Sequence, residues 1–201
     1  MFARLFFLFY YFDKTKELGV ATTLKTFLYG LRLDVAFSGY LVVLPFLLII
    51  CSIFVNPKNI LKVIKWYTNA IIIIISLLLL IDAGLYQACG VRLDTSLLPY
   101  LNTPELMIAS ASNFQIITGI FGWFIISFLF IKLFDNFYQK KNKTIKAGTW
   151  YEIPLFLFIT SALIIPIRGG FQTIPVNQSN VYFSNKMFAN HVAINFIWNF
   201  F

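Results

Sequence analysis

Four apolar runs dominate this sequence, and each is long enough to cross a lipid bilayer. The hydrocarbon core is about 30 Å thick, so a helix needs roughly 20 apolar residues to span it. Charged residues make up 12% of the chain, whereas they make up roughly 25% of a soluble domain. The sequence therefore predicts an all-α, polytopic membrane helical bundle with four full spans, at 35–55, 66–86, 115–134 and 150–167.

A shorter apolar run, residues 2–12, precedes these spans and contains Arg4. At 1.5 Å per residue, a helix of this length reaches only about 17 Å and cannot cross the membrane alone. We interpret it as the outer half of a truncated first span; the alternative is a short interfacial or tilted segment. It lacks the small-residue cleavage pattern of a signal peptide, so we expect it to stay attached.

The distribution of positive charge indicates how the chain is oriented. The net charge is +8, but the basic residues are spread along short loops rather than gathered on one face, which argues against nucleic acid as a partner. Short cytoplasmic loops of membrane proteins hold the excess of Lys and Arg. We therefore assign 56–65 and 132–146 to the cytoplasm, and 13–34, 87–114 and the tail after residue 167 to the outside. The lysines behind this assignment are Lys58, Lys62, Lys65, Lys132, Lys140, Lys141, Lys143 and Lys146.

The tail, residues 168–201, differs in character from the spanning region 1–167. From Ser184, a residue type that caps helix N-termini, polar and apolar side chains separate onto opposite sides of one predicted helix. This pattern is typical of an amphipathic helix in the membrane interface, here on the extracytoplasmic side. The helix has no capping residue at its end, so we expect the natural protein to continue beyond Phe201. Its polar side carries Asn185, Lys186, Asn190, His191, Asn195 and Asn199, and its apolar side Phe188, Val192, Phe196, Ile197 and Phe200.

No residue has the sequence context of a catalytic or metal-binding group. Gly-rich phosphate loops, nucleophile elbows and metalloprotease motifs do not occur in the sequence. Cys51 and Cys89 fall at opposite ends of predicted spans, which precludes a disulfide between them, and we interpret both as structural. His191 has no ligand partner at metal-binding spacing, so we expect it to be solvated. We assign no catalytic residue, metal ligand or cofactor to this chain.

Asp82 and two repeated triplets are exceptions to the apolar pattern. Asp82 lies near the outer end of the 66–86 span, and an ionisable residue inside a span is a functional candidate. The stretches GLRLD (30–34) and GVRLD (90–94) both fall on the predicted outer surface. Arginine can bind a phosphate through two hydrogen bonds, so one hypothesis is a patch that binds a phospholipid headgroup. The patch would consist of Arg32, Asp34, Asp82, Arg92, Asp94 and Arg168.

The alternative for these residues is interfacial anchoring and ion pairing between helices. The backbone of the two triplets distinguishes the hypotheses. Arg and Asp lie on one side of an extended triplet but diverge by about 200° on a helix, because successive helical residues advance by about 100°. The patch hypothesis therefore predicts that both copies adopt a similar backbone.

Three stretches carry a family resemblance. They are GLRLD followed by GYLVVLP around the start of the 35–55 span, DAGLYQACGVRLD at the end of the 66–86 span, and RGGFQTIPVNQSNVYFSNKMFANHVAIN after the last span. Together they resemble the membrane domain of the lipoteichoic acid synthase family, over residues 26–201. The resemblance implies five spans in the bacterial cell (inner) membrane, followed by an extracytoplasmic sulfatase-fold domain after the C-terminal tail.

In that family the sulfatase-fold domain supplies a Thr nucleophile and a divalent, manganese-like metal, and it transfers glycerol phosphate from phosphatidylglycerol. The resemblance thus implies that this chain is a membrane anchor and lipid-presenting domain, with membrane phospholipids and its own catalytic domain as partners. Two alternatives stay open. The chain could anchor a phosphoethanolamine transferase or a sulfatase-like hydrolase, or it could be a stand-alone binding or transport protein without enzyme activity.

Overall fold

The computed structural model of the chain describes residues 1–95, 112–142 and 149–200, with Lys141 and Asn142 described by their backbone alone. Within these residues, four helical stretches are long and apolar enough to cross a membrane and no strand occurs, which confirms the predicted all-α membrane bundle. In chain order the α-helices are α1 (Phe2–Tyr10), α2 (Phe12–Leu18), α3 (Val20–Cys51), α4 (Pro57–Cys89), α5 (Asn113–Asn142), α6 (Ile153–Ala162), α7 (Ile164–Arg168), α8 (Met187–Ala193) and α9 (Phe196–Phe200).

The first two long helices extend well beyond the predicted spans. α3 has 32 residues and α4 has 33, so each is about 50 Å long. Most of the predicted outer segment 13–34 and of the predicted loop 56–65 is therefore helical. α4 begins where the Asn56 side chain accepts a hydrogen bond from the Lys58 amide, at 3.0 Å. It ends at Gly90, whose φ of 70° is a conformation that glycine adopts without strain.

The third span, α5, packs along α4. The Oγ atoms of Ser76 and Ser127 lie 2.6 Å apart in a buried contact between these helices. Nearby, the indole Nε1 of Trp123 donates to the Ile73 carbonyl at 3.0 Å. Small residues and hydrogen bonds hold helices together in lipid, where burial of apolar side chains supplies no driving force. α5 is also longer than the predicted span 115–134.

The fourth span, Trp150–Arg168, consists of a 3₁₀ turn followed by α6 and α7. None of its most apolar stretch is buried within the protein, so these side chains face lipid. The span packs on α3, where a Cβ at position 39 would lie 2.7 Å from Cγ1 of Ile167. Gly39 therefore allows α7 to pack closely against α3.

Different parts of the sequence meet at the two ends of the bundle. Lys65 and Asp135 form an ion pair of 2.9 Å between α4 and α5, which places the two predicted cytoplasmic segments at the same end. The residues of both Arg-Leu-Asp triplets, α1 and the tail contact one another at the opposite end. Lys143, Lys146 and most of the predicted outer connection 87–114 lie outside the described residues.

The first apolar run folds as two short helices, α1 and α2, at the end that carries the triplets. Phe7 of α1 is completely buried beside Tyr86 of α4 and Val192 of α8. The segment is thus a packed part of the bundle. Our interpretation of it as half of a truncated crossing concerns residues outside this chain and stays a prediction.

The tail is not the single amphipathic helix that the sequence predicted from Ser184. Two short helices, α8 and α9, are separated at Asn195, whose Oδ1 accepts hydrogen bonds from the amides of Ile197 and Trp198. This side-chain cap starts a new helix and so breaks the predicted one. The preceding turn packs on α3, where the rings of Tyr29 and Phe183 stack 4.7 Å apart.

Candidate functional site

An ion pair between Arg92 and Asp82 lies at the end of α4. Nε of Arg92 donates to Oδ1 of Asp82 at 3.0 Å, and Nη2 lies 2.9 Å from Oδ2. The Leu93 amide donates to the same Oδ1 at 2.9 Å. The left-handed conformation of Gly90 turns the chain back along α4 and so brings Arg92 beside Asp82. Asp82 is fully buried and Arg92 is 4% exposed.

A second ion pair joins α1 to α3. Nη1 of Arg4 lies 2.9 Å from Oδ2 of Asp34, and Nη2 donates to Oδ1 at 3.3 Å. The amino group of Met1 also contacts Oδ2, at 3.0 Å. The Asn195 amide group donates to Oδ1 at 2.9 Å, so the Asp34 carboxylate joins the N-terminal segment, α3 and the tail.

The two buried arginines meet at the C-terminal end of α8. Nε and Nη2 of Arg4 donate to the carbonyls of Val192 and Ala193, each at 3.0 Å. Nη1 of Arg92 donates to the carbonyl of His191, also at 3.0 Å. The last carbonyls of a helix lack partners within the helix and carry partial negative charge, so cations stabilise them. We call Arg4, Asp34, Asp82 and Arg92 the arginine cluster.

Aromatic rings enclose the arginine cluster. The Arg92 guanidinium lies 4.1 Å from the centroid of the Phe7 ring, and that of Arg4 lies 5.7 Å from the Phe27 ring. Phe7 also meets Tyr86 edge to face, at 4.9 Å between centroids. Rings of this kind attract cations and keep water away, which strengthens the ion pairs that they cover.

His191 lies beside this cluster, and the prediction that it is solvated is wrong. Its ring is half-buried, and Nδ1 lies 3.1 Å from the hydroxyl of Tyr86. Burial lowers the pKa of His191 below its usual value, and the positive charge of Arg92 lowers it further. The neutral imidazole is therefore favoured, and it can accept a hydrogen bond from the tyrosine.

The six residues of the predicted headgroup patch have different surroundings. Asp82 and Arg92 pair with each other, whereas Asp34 pairs with Arg4. The remaining two arginines contact the chain just after α7. Arg32 donates to the Gly169 carbonyl at 3.2 Å and to the Gln172 side chain. Arg168 donates to the Thr173 carbonyl at 2.9 Å. Asp94 is half-buried beyond Arg92.

The two Arg-Leu-Asp triplets do not share a backbone, so the prediction of a similar conformation is wrong. Residues 30–34 lie inside α3, whereas 90–94 follow the end of α4 as an irregular turn. On α3, Arg32 and Asp34 point in different directions, as the helical geometry requires. The ion-pairing interpretation accounts for Asp34, Asp82 and Arg92. Headgroup binding by the six residues loses its geometric basis and stays a prediction.

Two residues that hold the tail in place were missed from the sequence. Arg4 was treated only as an interruption of an apolar run, although an ionisable residue among aromatics is itself a signal of a buried partner. Asn190 was placed on the polar side of the predicted interfacial helix. It is buried instead, where Oδ1 accepts from the amides of Phe183 and Ser184 at 3.0 Å. The sequence does not reveal this role, because it depends on how the turn at Phe183 and Ser184 folds onto α8.

Among the described residues, no group of three or more His, Cys, Asp or Glu side chains could hold a metal ion. Cys51 and Cys89 are free and exposed. In the arginine cluster, each guanidinium contacts a carboxylate and one or two backbone carbonyls at the end of α8, so the cluster holds the tail against α3 and α4.

No protein-family model, curated protein or solved structure matches the chain.

Proposed function

We propose that this chain is the membrane anchor and lipid-presenting domain of an enzyme, similar to lipoteichoic acid synthases, that transfers a phosphoglycerol headgroup outside a bacterial cell membrane. The observation that carries the proposal is the meeting of the three stretches on which the resemblance rests. Residues 30–34, 82–94 and 168–195 contact one another at one end of the bundle, through the Asp34–Asn195 and Arg92–His191 hydrogen bonds.

This arrangement suits an anchor. A tail hydrogen-bonded to Arg4, Arg92 and Asp34 leaves the membrane in a fixed position. A catalytic domain attached to it would stay at a defined height above the lipid headgroups. In this proposal the Thr nucleophile and the divalent metal belong to that domain. The chain described here contributes attachment, orientation and a surface for the phospholipid donor.

An activity comparison tests the proposal. Purified 201-residue chain and its parent protein, extended through the residues that follow Phe201, are incubated with labelled phosphatidylglycerol and manganese. We expect headgroup transfer by the parent protein and none by the chain alone. Turnover by the chain alone would refute the division of roles. A natural coding sequence that stops at codon 201 would favour the stand-alone binding or transport protein instead.

A further inference from the structure

A closed loop, residues 169–175, follows the fourth span, and we call it the exit loop. It closes where the amide of Val176 donates to the carbonyl of Arg168 at 2.9 Å. Its first two residues, Gly169 and Gly170, have φ angles of 79° and 126°, which glycine adopts without strain and other residues rarely adopt. Because its two ends meet, the loop is a compact projection from the end of α7.

Two arginines hold the exit loop in one conformation. Arg32 of α3 donates to the Gly169 carbonyl at 3.2 Å and to the side chain of Gln172. Arg168 donates to the Thr173 carbonyl at 2.9 Å. The Gln172 amide group in turn donates to the Arg168 carbonyl at 3.4 Å. These hydrogen bonds fix the backbone of the loop, and with it the directions in which its other side chains point.

The side chains of the exit loop are arranged in the opposite way to those of a loop in water. Phe171 is 91% exposed and Ile174 is 71% exposed, whereas the polar Gln172 turns inward to Arg32. Single exposed apolar side chains are ordinary on a protein surface. Here, however, a hydrogen-bonded frame holds two of them outward together. The exit loop is therefore suited to an apolar partner.

The position of the exit loop favours the bilayer as that partner. None of the most apolar stretch of the fourth span is buried within the protein, and Ile164 in its last helix is 58% exposed. Phe171 follows Arg168 by three residues, so it lies within about 10 Å of the end of the span. Aromatic side chains are enriched at this level, where the membrane meets water. The apolar side of the loop thus continues the lipid-facing surface of the span.

We propose that the exit loop is an interfacial anchor, in which Phe171 and Ile174 insert between the lipids at the end of the bundle that carries the tail. Arg32 and Arg168 hold the loop in the conformation that points both side chains into the bilayer. The exposed Thr173 lies between them, and its hydroxyl suits the hydrated headgroup layer. The partner is the lipid surface as a whole and no particular lipid. The anchor would set the depth at which the tail leaves the membrane, and it does not depend on the proposed function.

Fluorescence quenching in vesicles tests this anchor on the purified 201-residue chain. The native cysteines are removed by Cys51→Ser and Cys89→Ser, and a nitrobenzoxadiazole label is attached to Phe171→Cys or Ile174→Cys. The vesicles are phosphatidylcholine, with a nitroxide on the acyl chain as the lipid quencher and iodide on both sides as the aqueous quencher. We expect the lipid quencher to act more strongly at both positions, and to place the labels about 5–10 Å into the boundary between headgroups and acyl chains.

Two control positions define the range of the measurement. Ile164→Cys on α7 should be quenched by the lipid nitroxide, because Ile164 belongs to the lipid-facing span. Asn185→Cys should be quenched by iodide, because Asn185 is an exposed polar residue of the tail. Labels at 171 and 174 that respond to iodide as the label at 185 does would overturn the anchor. Protection from both quenchers would overturn it too, since a protein such as a second copy would then cover the loop.

A label at Thr173→Cys tests whether the two apolar side chains cause the insertion, because it leaves both of them in place. Adding Phe171→Ser and Ile174→Ser should move this label into water and raise its quenching by iodide to the level at position 185. Both side chains are exposed, so we expect the unfolding midpoint in detergent to stay the same. Val20→Ser removes an exposed apolar side chain at the start of α3 and should leave the label unchanged. An unaltered response to iodide in the double serine variant would contradict the proposal.

Discussion

At the scale of single residues, the ion pair of Asp82 and Arg92 is enclosed on every side by protein. Removing two charges from water costs several kcal/mol for each ion, and the pair is tolerated only because geometry and additional hydrogen bonds are good. Here the Leu93 amide and the His191 carbonyl supply those additional bonds. The pair is therefore sensitive to the loss of one partner.

We predict that Asp82→Asn destabilises the protein by about 3–5 kcal/mol, the usual cost of leaving one charge buried without its partner. Unfolding in detergent micelles, followed by size-exclusion chromatography of a fluorescent fusion, measures the change. Replacing both residues with apolar ones, as Asp82→Leu with Arg92→Met, should recover part of the loss.

The control for that variant is Asp135→Asn. The ion pair of Lys65 with Asp135 has side chains about 30% exposed, and exposed pairs contribute at most about 1 kcal/mol. We expect a small effect here. Equal effects of Asp82→Asn and Asp135→Asn would contradict the role of burial.

His191 makes stability depend on pH. Its pKa is lowered in the folded protein by burial and by Arg92, whereas an unfolded histidine has a pKa of about 6.5. The unfolded state therefore takes up a proton first, and stability should fall as the pH drops through about 6.5 toward the lower folded pKa. Unfolding midpoints between about pH 5 and pH 8 measure this. Because the chain has a single histidine, His191→Gln should remove the dependence in that window.

At the scale of elements, the docking of α8 on α3 depends on a glycine. A Cβ at position 30 would overlap Nη2 of Arg4 and the carbonyl of Ala193, so no larger residue fits while both contacts persist. Arg4 reaches Asp34 and the end of α8 only across this bare backbone. Gly30 is thus the position where the sequence allows the tail to approach the span.

We predict that Gly30→Ala displaces Arg4 and loosens the tail, with a loss of about 1–3 kcal/mol for overpacking. Gly84→Ala on α4 is the matched control, since an added Cβ there meets nothing within 4 Å. It should be neutral or stabilise by up to about 1 kcal/mol. Limited proteolysis of the tail and the unfolding midpoint together report both effects. A tail that stays protected in Gly30→Ala would contradict this account of docking.

Hydropathy was sufficient to predict the four spans but not their ends. Lys25, Arg32 and Asp34 precede the predicted span 35–55, in the segment 13–34 that was assigned to the outside, yet all three lie within α3. Asp34 pairs with Arg4, 30 residues earlier. Pairings of this kind are set by tertiary structure. They do not follow from periodicity.

The candidate site was predictable only in part. Asp82 was singled out as an ionisable residue in a span, and Arg92 belonged to the same predicted set of six residues. Arg4 and the carbonyls of Val192 and Ala193 that it binds are 188 and 189 positions apart in the sequence. No local pattern brings them together, since they meet only when the tail folds back onto α1 and α3.

At the scale of the whole molecule, the two native cysteines report the orientation. Both are exposed and free, and they end helices that run in opposite directions, α3 for Cys51 and α4 for Cys89. If the lysine-rich end is cytoplasmic, a membrane-impermeant thiol reagent should label Cys89 in intact cells and Cys51 only after permeabilisation. The single-cysteine variants Cys51→Ser and Cys89→Ser separate the two signals, and the reverse labelling pattern would invert the topology.

Because α3 is one uninterrupted helix, a change in its tilt within the membrane also moves the tail that is attached to it. The helix is about 48 Å long, which exceeds the hydrocarbon core by about 18 Å, and the tail is attached near the projecting half at Asp34. Pro45 lies on the other side of that attachment, toward Cys51. Hydrophobic mismatch alters helix tilt, and a tilt of about 10° moves the end of a helix this long by about 8 Å. A change in bilayer thickness would thereby change the position of the tail relative to the membrane surface.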